Sequence, residues 1–533
     1  MDKFILFLIF TTITVNLRAQ EAKNPWSFDG LWSGQLNAAV KDEKIGAANT
    51  PFYETHKWGA ESWLNLRTYN RHWQISTRLE GYQNSILRNP ENVYTKYGVG
   101  HFNVKYATTK FSIEGGHFYE QIGQGLIMRS YHDKTLLIDN AVFGAKVKWN
   151  LPGDQSIMAY GGWPTDQFTF QDLFNAGGEY RKNWKLKDVY LSSGAGMSWK
   201  RYHSSLTNSL IDELQYYHPE DKVAIYRQGW LATVFQELNA GPLTWNMELA
   251  FKYHDPYYHA EHSRQLVTGE TILGRFETDP GQAFYTRLAL DFTAISIGLE
   301  GKYINRFINK SDPFSFDYRN DLNFIPPSTD VQTYRLKARY IPATRFLGEK
   351  SVNMFVLLPL GDHLLEWKNG FIFDLDNEGL YQDYDLQWTW NREKDKWTGG
   401  MMYQVYNQSI YEGKSGNGVV KSFIPYVEYY TTWGEDKSLK AESQALLTRQ
   451  DKGPLYFLGV EYAWNQHWAV FGSGMYESRA ELVYPSTGLF YNYGGNRYGL
   501  SFVKQLEGYV CSGGICRYEP AYSGFKLEFQ HRL

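Results

Sequence analysis

The amino-acid sequence predicts an all-β fold, a transmembrane antiparallel β-barrel with an even strand number, about 20–24 strands. Three observations carry that expectation. Apolar and polar residues alternate with a period of two in segment after segment, from about residue 26 to Leu533. Phe, Trp and Tyr make up 17% of the 533 residues. Mean hydropathy is low, −0.49, although 43% of the residues are hydrophobic. In 72–80 one face carries Trp73, Ile75, Thr77 and Leu79, and the other His72, Gln74, Ser76, Arg78 and Glu80. Successive side chains of a strand point to opposite sides, so such a segment builds one greasy and one wet face. The polar half of every strand reconciles the low hydropathy with a membrane wall.

Taken from the N-terminus, residues 1–19 read as a secretory signal. Lys3 precedes an apolar run, Phe4–Phe10, extended by Ile13 and Val15, with a cut after Ala19. The run is too short to span a bilayer. Residues 20–533 are expected to form a single outer-membrane barrel with long extracellular loops, because no linker, charge block or change of texture divides them. A net charge of −3 gives no support for nucleic-acid binding.

The alternation places strands over 26–40, 58–70, 71–83, 99–108, 110–122, 141–150, 154–163, 175–185, 188–201, 223–238, 241–254, 282–292, 294–306, 330–341, 350–358, 363–374, 380–391, 396–407, 421–433, 436–448, 453–465, 466–478, 496–508 and 518–533. An even count, nominally about 24, returns both termini to the periplasmic side. Before residue 341 short connections alternate with long ones, at 41–57, 84–98, 123–140, 164–174, 202–222, 255–281 and 307–329, which read as outer loops. Beyond 341 the alternation fails. Segment 479–495 resembles an outer loop but falls on the periplasmic side, so at least one strand there is misassigned. In the last segment Phe525, Leu527 and Phe529 alternate with Lys526, Glu528 and Gln530, which puts the apolar set on the lipid face beside Trp73, Ile75 and Leu79.

The polar faces carry charges of both signs: Glu61 and Arg67, Arg78 and Glu80, Glu248 and Lys252, Glu300 and Lys302. Such lumen-facing charges set selectivity in a water-filled pore and brace the wall in a plugged one, and the sequence leaves both open. Cys511 and Cys516, in Cys-Ser-Gly-Gly-Ile-Cys, are spaced for a disulfide in an exported chain. His254, Asp255, His259, Glu261 and His262 offer imidazole and carboxylate at spacings suited to a divalent ion, yet read more simply as a polar outer loop. Gly123 and Gly125 lack the strand–helix context of a nucleotide fingerprint and read as turns, and there is no Gly-x-Ser-x-Gly elbow. Catalytic residues, cofactors and metal ligands are therefore not assigned, and the chain is expected not to be an enzyme.

The stretches Gly123-Gln-Gly125-Leu126-Ile127-Met128-Arg129-Ser130-Tyr131, Ile138-Asp139-Asn140-Ala141 and Gly144-Ala145-Lys146-Val147 form one set of patches. With Cys511-Ser-Gly-Gly-Ile-Cys516-Arg517-Tyr518-Glu519-Pro520 and Gly524-Phe525, they resemble a family of outer-membrane proteins of unknown function in Bacteroidota. That resemblance implies a large barrel in the cell outer membrane with no assigned chemistry. By kinship it also implies an accessory place at the type 9 secretion and gliding apparatus. Membrane lipids, lipopolysaccharide and other outer-membrane secretion proteins are the implied partners, without nucleic acid or cofactor. A structural or partner-binding barrel is the first expectation; a diffusion channel or transporter for small solutes, and a membrane-embedded barrel hydrolase, are the alternatives.

Overall fold

The computed structural model describes residues 26–89, 92–329, 332–414, 418–512 and 515–533, so the expected signal at 1–19 lies outside the described residues. The main sheet has 25 strands, of which one is the two-residue piece Thr169–Phe170. The other 24 form the wall. In chain order they are β1 (Ser27–Ala39), β2 (Trp58–Tyr69), β3 (Trp73–Ser85), β4 (Tyr94–Ala107), β5 (Phe111–Phe118), β6 (Val142–Leu151), β7 (Gln155–Asp166), β8 (Leu173–Leu186), β9 (Val189–Tyr202), β10 (Gln228–Ala240), β11 (Leu243–Tyr253) and β12 (Gly281–Asp291). They continue as β13 (Ser296–Asn305), β14 (Gly348–Leu360), β15 (His363–Phe373), β16 (Gly379–Asn391), β17 (Asp395–Asn407), β18 (Val419–Trp433), β19 (Lys437–Thr448), β20 (Leu455–Ala463), β21 (Trp468–Glu477), β22 (Leu482–Tyr493), β23 (Asn496–Gln505) and β24 (Tyr522–Arg532).

Neighbours in sequence pair antiparallel, and the ring closes where β1 meets β24, Gln35 opposite Glu528. Closure gives wall backbone groups partners within the wall, which a lipid environment demands. At the end shared by both described termini the connections are tight, such as 70–72, 187–188 and 494–495. Gly494 and Gly495 both take positive φ (55° and 83°), the backbone of a two-residue hairpin turn matched to strand twist. At the opposite end lie the long connections 119–141, 203–227, 254–280, 306–347 and 506–521.

The outer face is banded. Near the loop end Trp163, Phe174, Trp199 and Trp230, on four consecutive strands, contact one another in turn, the first two pairs edge to face. Near the turn end Trp397 packs on Tyr429, Trp433 on Tyr462, and Trp468 on Tyr491. Between these belts many of the exposed outward residues are aliphatic, among them Val427, Leu458, Val460, Leu500 and Leu527. Two aromatic girdles around an apolar band are the signature of a lipid-facing wall.

Several expectations need correction. Segment 330–341 is not a strand; its described part runs inside the barrel and ends in a short 3-10 turn, Lys337–Tyr340. Tyr334, Leu336, Ala338 and Tyr340 mimic a strand's alternation. The intervening Lys337 and Arg339, however, turn to acids and carbonyls of the interior, Asp385, Glu507 and Asp451, so no sheet partner is needed. Conversely, 479–495 contains β22. That strand carries Pro485 at a point where β22 pairs only with β21, because pairing to β23 begins at Ser486. A proline is best tolerated in a strand where one neighbour is not paired. The spurious and the missed strand restore the alternation of short and long connections beyond 341. Segments 123–140 and 307–329, expected as outer loops, turn inward. Connection 202–222 carries a helix, Ser204–Gln215, and 255–281 folds into a hairpin, Tyr257–Gln265 with Thr271–Glu277.

Candidate functional site

The lumen is occupied by the chain's own connections. Residues 119–141, between β5 and β6, bury Ile122, Leu126, Ile127 and Met128 completely. Each such burial is worth about 1.5–3 kcal/mol. The segment enters through Gly123, whose φ is +58° and whose absent Cβ would lie 2.7 Å from the Glu248 carboxylate. Only glycine admits both the turn and that approach. The Gly123 N–H donates to Glu179 at 2.9 Å and the Gln124 N–H donates to Glu248, both acids on the inner face of the wall.

A second segment, in the connection between β13 and β14, lies against the first. Arg129 N–H donates to the Leu322 carbonyl at 2.8 Å, Phe324 N–H to the Gly125 carbonyl at 2.9 Å, and Asn309 Nδ2 to the Ile127 carbonyl at 2.9 Å. The Arg129 guanidinium sits 3.9 Å from the Phe324 ring centre. Three buried lysines of the wall hold this segment by its backbone. Lys200 of β9 donates to the Lys310 carbonyl (3.1 Å), Lys252 of β11 to the Ile308 carbonyl (3.0 Å) and Lys302 of β13 to the Pro326 carbonyl (3.1 Å). Further along, Leu336 N–H donates to Gln444 Oε1 at 2.8 Å, and Lys337 pairs with Asp385 of β16. The inserted chain thus reaches from β9–β13 to β16 and β19.

The charges expected to face the lumen divide by role. Arg78 of β3, 5% exposed, pairs with both Glu80 and Asp139, the latter on the first inserted segment. Tyr119 Oη donates to Asp139 Oδ1 at 2.7 Å, and Tyr82 Oη to Glu80 Oε2 at 2.7 Å. Glu248, Lys252 and Lys302 hold inserted backbone as described, and Lys302 also pairs with Glu349 at 2.7 Å. Glu61 is buried and accepts from Asn37 Nδ2 at 3.3 Å. Glu300 stands opposite Arg287 in the sheet register. Arg67 pairs with Asp29 near the turn-end rim. There a cavity of about 540 Å³ opens below the inserted segments, lined by Asp29, Arg67, Ser76, Arg78, His101 and Arg532 among others. On the opposite face of the wall Trp73, Phe525 and Leu527 are exposed. Ile75 lies between Thr68 and Val104, Leu79 between Leu64 and Val99, and Phe529 packs on Trp32 at 4.7 Å.

The plug itself escaped the sequence reading, although one signal pointed to it. Leu126-Ile127-Met128 is a run of three apolar residues in a presumed loop, which solvent exposure would not tolerate. The histidine-rich stretch is split by the structure. His254 stacks on Tyr226, Asp255 pairs with Lys200 at 2.6 Å, and Glu261 pairs with Arg345. His259 and His262 instead meet Glu277, which sequence spacing did not include. Burial alone would raise the Glu277 carboxyl, but bonds from His262, Arg275 and Tyr257 outweigh it and pull its pKa down to about 2. Cys511 and Cys516 lie opposite each other in the hairpin register of Gly508–Ser512 with Ile515–Glu519; the Cys511 side chain lies outside the described residues.

Residues 1–533 match the model of a family of unknown function, DUF6029. The chain belongs to that family. No curated protein matches it. Among solved structures, the translocation pore of the P pilus usher PapC aligns over 95% of this chain and 99% of that chain, with 10% identity and a TM-score of 0.45. A mutant porin of Rhodopseudomonas blastica aligns over 60% of this chain and 96% of that chain, with 8% identity and a TM-score of 0.29. Within this DUF6029 chain, both patches that carried the family resemblance lie largely outside the wall, in the first inserted segment and in the cysteine hairpin.

Proposed function

We propose that this protein is a non-enzymatic barrel of the cell outer membrane whose lumen is closed at rest, acting as a structural or partner-binding subunit. The supporting observation is the pair of inserted segments, bonded to each other and to the inner wall at buried acids and lysines. An open diffusion pore has no use for three buried lysines spent on backbone carbonyls. Attachment to a type 9 secretion or gliding assembly, as in Bacteroidota, rests on sequence kinship alone. The turn-end cavity favours a second reading, a gated conduit for small solutes whose resting state is closed, with the solute entering beside Arg67, Arg78 and Arg532.

Single-channel recording in planar bilayers tests the closed state. The wild-type barrel should be electrically silent at low voltage, and steady ohmic conductance of porin size would refute closure. Brief voltage-dependent openings on a silent baseline would select the gated reading over the scaffold.

We also propose a disulfide between Cys511 and Cys516, supported by their facing register. It closes a small loop, so its contribution should be at most about 2 kcal/mol. Intact mass after alkylation, with and without prior reduction, decides it: two alkylated thiols without reductant would show the bond absent.

A further inference from the structure

The hairpin Tyr257–Gln265 with Thr271–Glu277 projects from the loop end, and its register slips between His259 and Ser263. Residues three apart on a regular strand face opposite ways. The slip turns His262 to the side of His259, so the two rings lie 3.5 Å apart and nearly parallel. Glu277, on the partner strand opposite Tyr257, completes the group: one donor atom from each of His259, His262 and Glu277 lies within 4.8 Å of the others.

The chemistry of the three differs in a useful way. His259 is 6% exposed, and its Nδ1 is buried without a hydrogen-bond partner, a costly state for an imidazole unless something binds it. Glu277 is 3% exposed and held by Tyr257 Oη on Oε2 (2.8 Å) and by Arg275 Nε on Oε1 (2.7 Å). The side chain of His262 is 41% exposed and gives a route in from solvent. The cations around the cluster have carboxylates of their own. Arg275 also faces Asp221 at 3.4 Å, Arg306 faces Asp279 at 3.3 Å, and Arg345 pairs with Glu261.

We propose that His259, His262 and Glu277 bind one divalent ion of the borderline class, zinc foremost. Two neutral imidazoles and one carboxylate are a donor set typical of zinc, with a remaining position open to water on the His262 side. Binding replaces the 2.6 Å contact between His262 Nδ1 and Glu277 with a shared ion and requires a turn of one ring out of the stack. Tyr257 and Arg275 remain on the carboxylate and orient it, as outer partners of metal ligands do. The ion would pin the two strands together at the base of the hairpin, where it leaves the loop end of the barrel.

The test uses the full chain in detergent, stripped with chelator, equilibrated with zinc, and assayed by elemental mass spectrometry and titration calorimetry. One zinc per chain is expected. His262→Ala, at an exposed position, and His259→Ala should each weaken binding by more than about tenfold, since loss of even an outer partner costs that much. His254→Ala, outside the cluster, should leave it unchanged. Cobalt loaded in place of zinc should show visible absorption bands of a low-coordinate nitrogen–oxygen site, absent in His262→Ala. Heat-modifiable migration confirms that each variant is folded, and if His259→Ala fails that check, His262→Ala alone decides. A wild-type barrel that holds no zinc after dialysis, or a folded His262→Ala that binds as wild type, overturns the proposal.

Discussion

Replacing Arg78 with alanine should cost about 3–5 kcal/mol and make the silent barrel conduct, because it leaves two buried carboxylates without their shared cation. Glu80 is 4% exposed and Asp139 3% exposed, so neither can turn to bulk water without moving its backbone. Glu80 belongs to the hydrogen-bonded wall and cannot move. Asp139 belongs to an inserted segment, and its release is the easier relief. The barrel should therefore still migrate as a folded, heat-modifiable species, with a lowered unfolding midpoint and current steps in the bilayer. Asp139→Asn, which removes one of the two charges and keeps the Tyr119 contact, should have a smaller effect in the same direction. An Arg78→Ala barrel as stable and as silent as wild type would show that the segment is held without this network.

The second large effect lies on the opposite face of the wall. Leu527 sits midway along β24, is 45% exposed, and stands between Leu36 and Leu500 in register. Arginine there should cost about 2–4 kcal/mol, the expected penalty near the bilayer midplane. Ile75 lies only two residues from Trp73 of the turn-end belt, so the same change there should cost about 0–1 kcal/mol. Ser76→Arg, pointing into the turn-end cavity, should be tolerated equally well. Unfolding titrations in lipid vesicles measure all three. Equal losses at Leu527 and Ser76 would mean that the inner and outer faces have been exchanged.

The wall was legible in the sequence because each strand must satisfy the same constraint, one face to lipid and one to the interior. That constraint repeats every second residue. Strand β24 could be read almost residue by residue from Phe525, Leu527 and Phe529. The interior obeys no such period. Tyr334, Leu336 and Tyr340 face lumenal partners while Lys337 reaches Asp385 on the wall and Arg339 reaches Asp451 and the Glu507 carbonyl in connections between strands, and this irregular double satisfaction looks like a strand on paper. Segment 479–495 misled in the other direction, since its strand β22 carries Pro485, and whether a proline is tolerated depends on which neighbour is paired, a fact of three dimensions. For the same reason the polar-face charges were found but not their purpose. Lys252 and Lys302 gain meaning only when a chain lies beside them, and Lys200, which holds the same chain, was not singled out at all. Likewise, Glu277 joins His259 and His262 through a strand pairing and a local slip in register that spacing within HDPYYHAEH could not reveal.

The inserted segments differ from a separate plug domain in one respect with mechanical weight. Residues 119–141 are tied to β5 and β6, and residues 306–347 to β13 and β14, so each is moored at both ends to adjacent staves of the barrel. A loop moored twice can swing but cannot be expelled. Any passage through this barrel has to share the bore with displaced chain, and its width is set by how far those moorings let the loops retreat. A cut anywhere within 306–347 would convert a leash into two free tails and enlarge the opening without removing a residue.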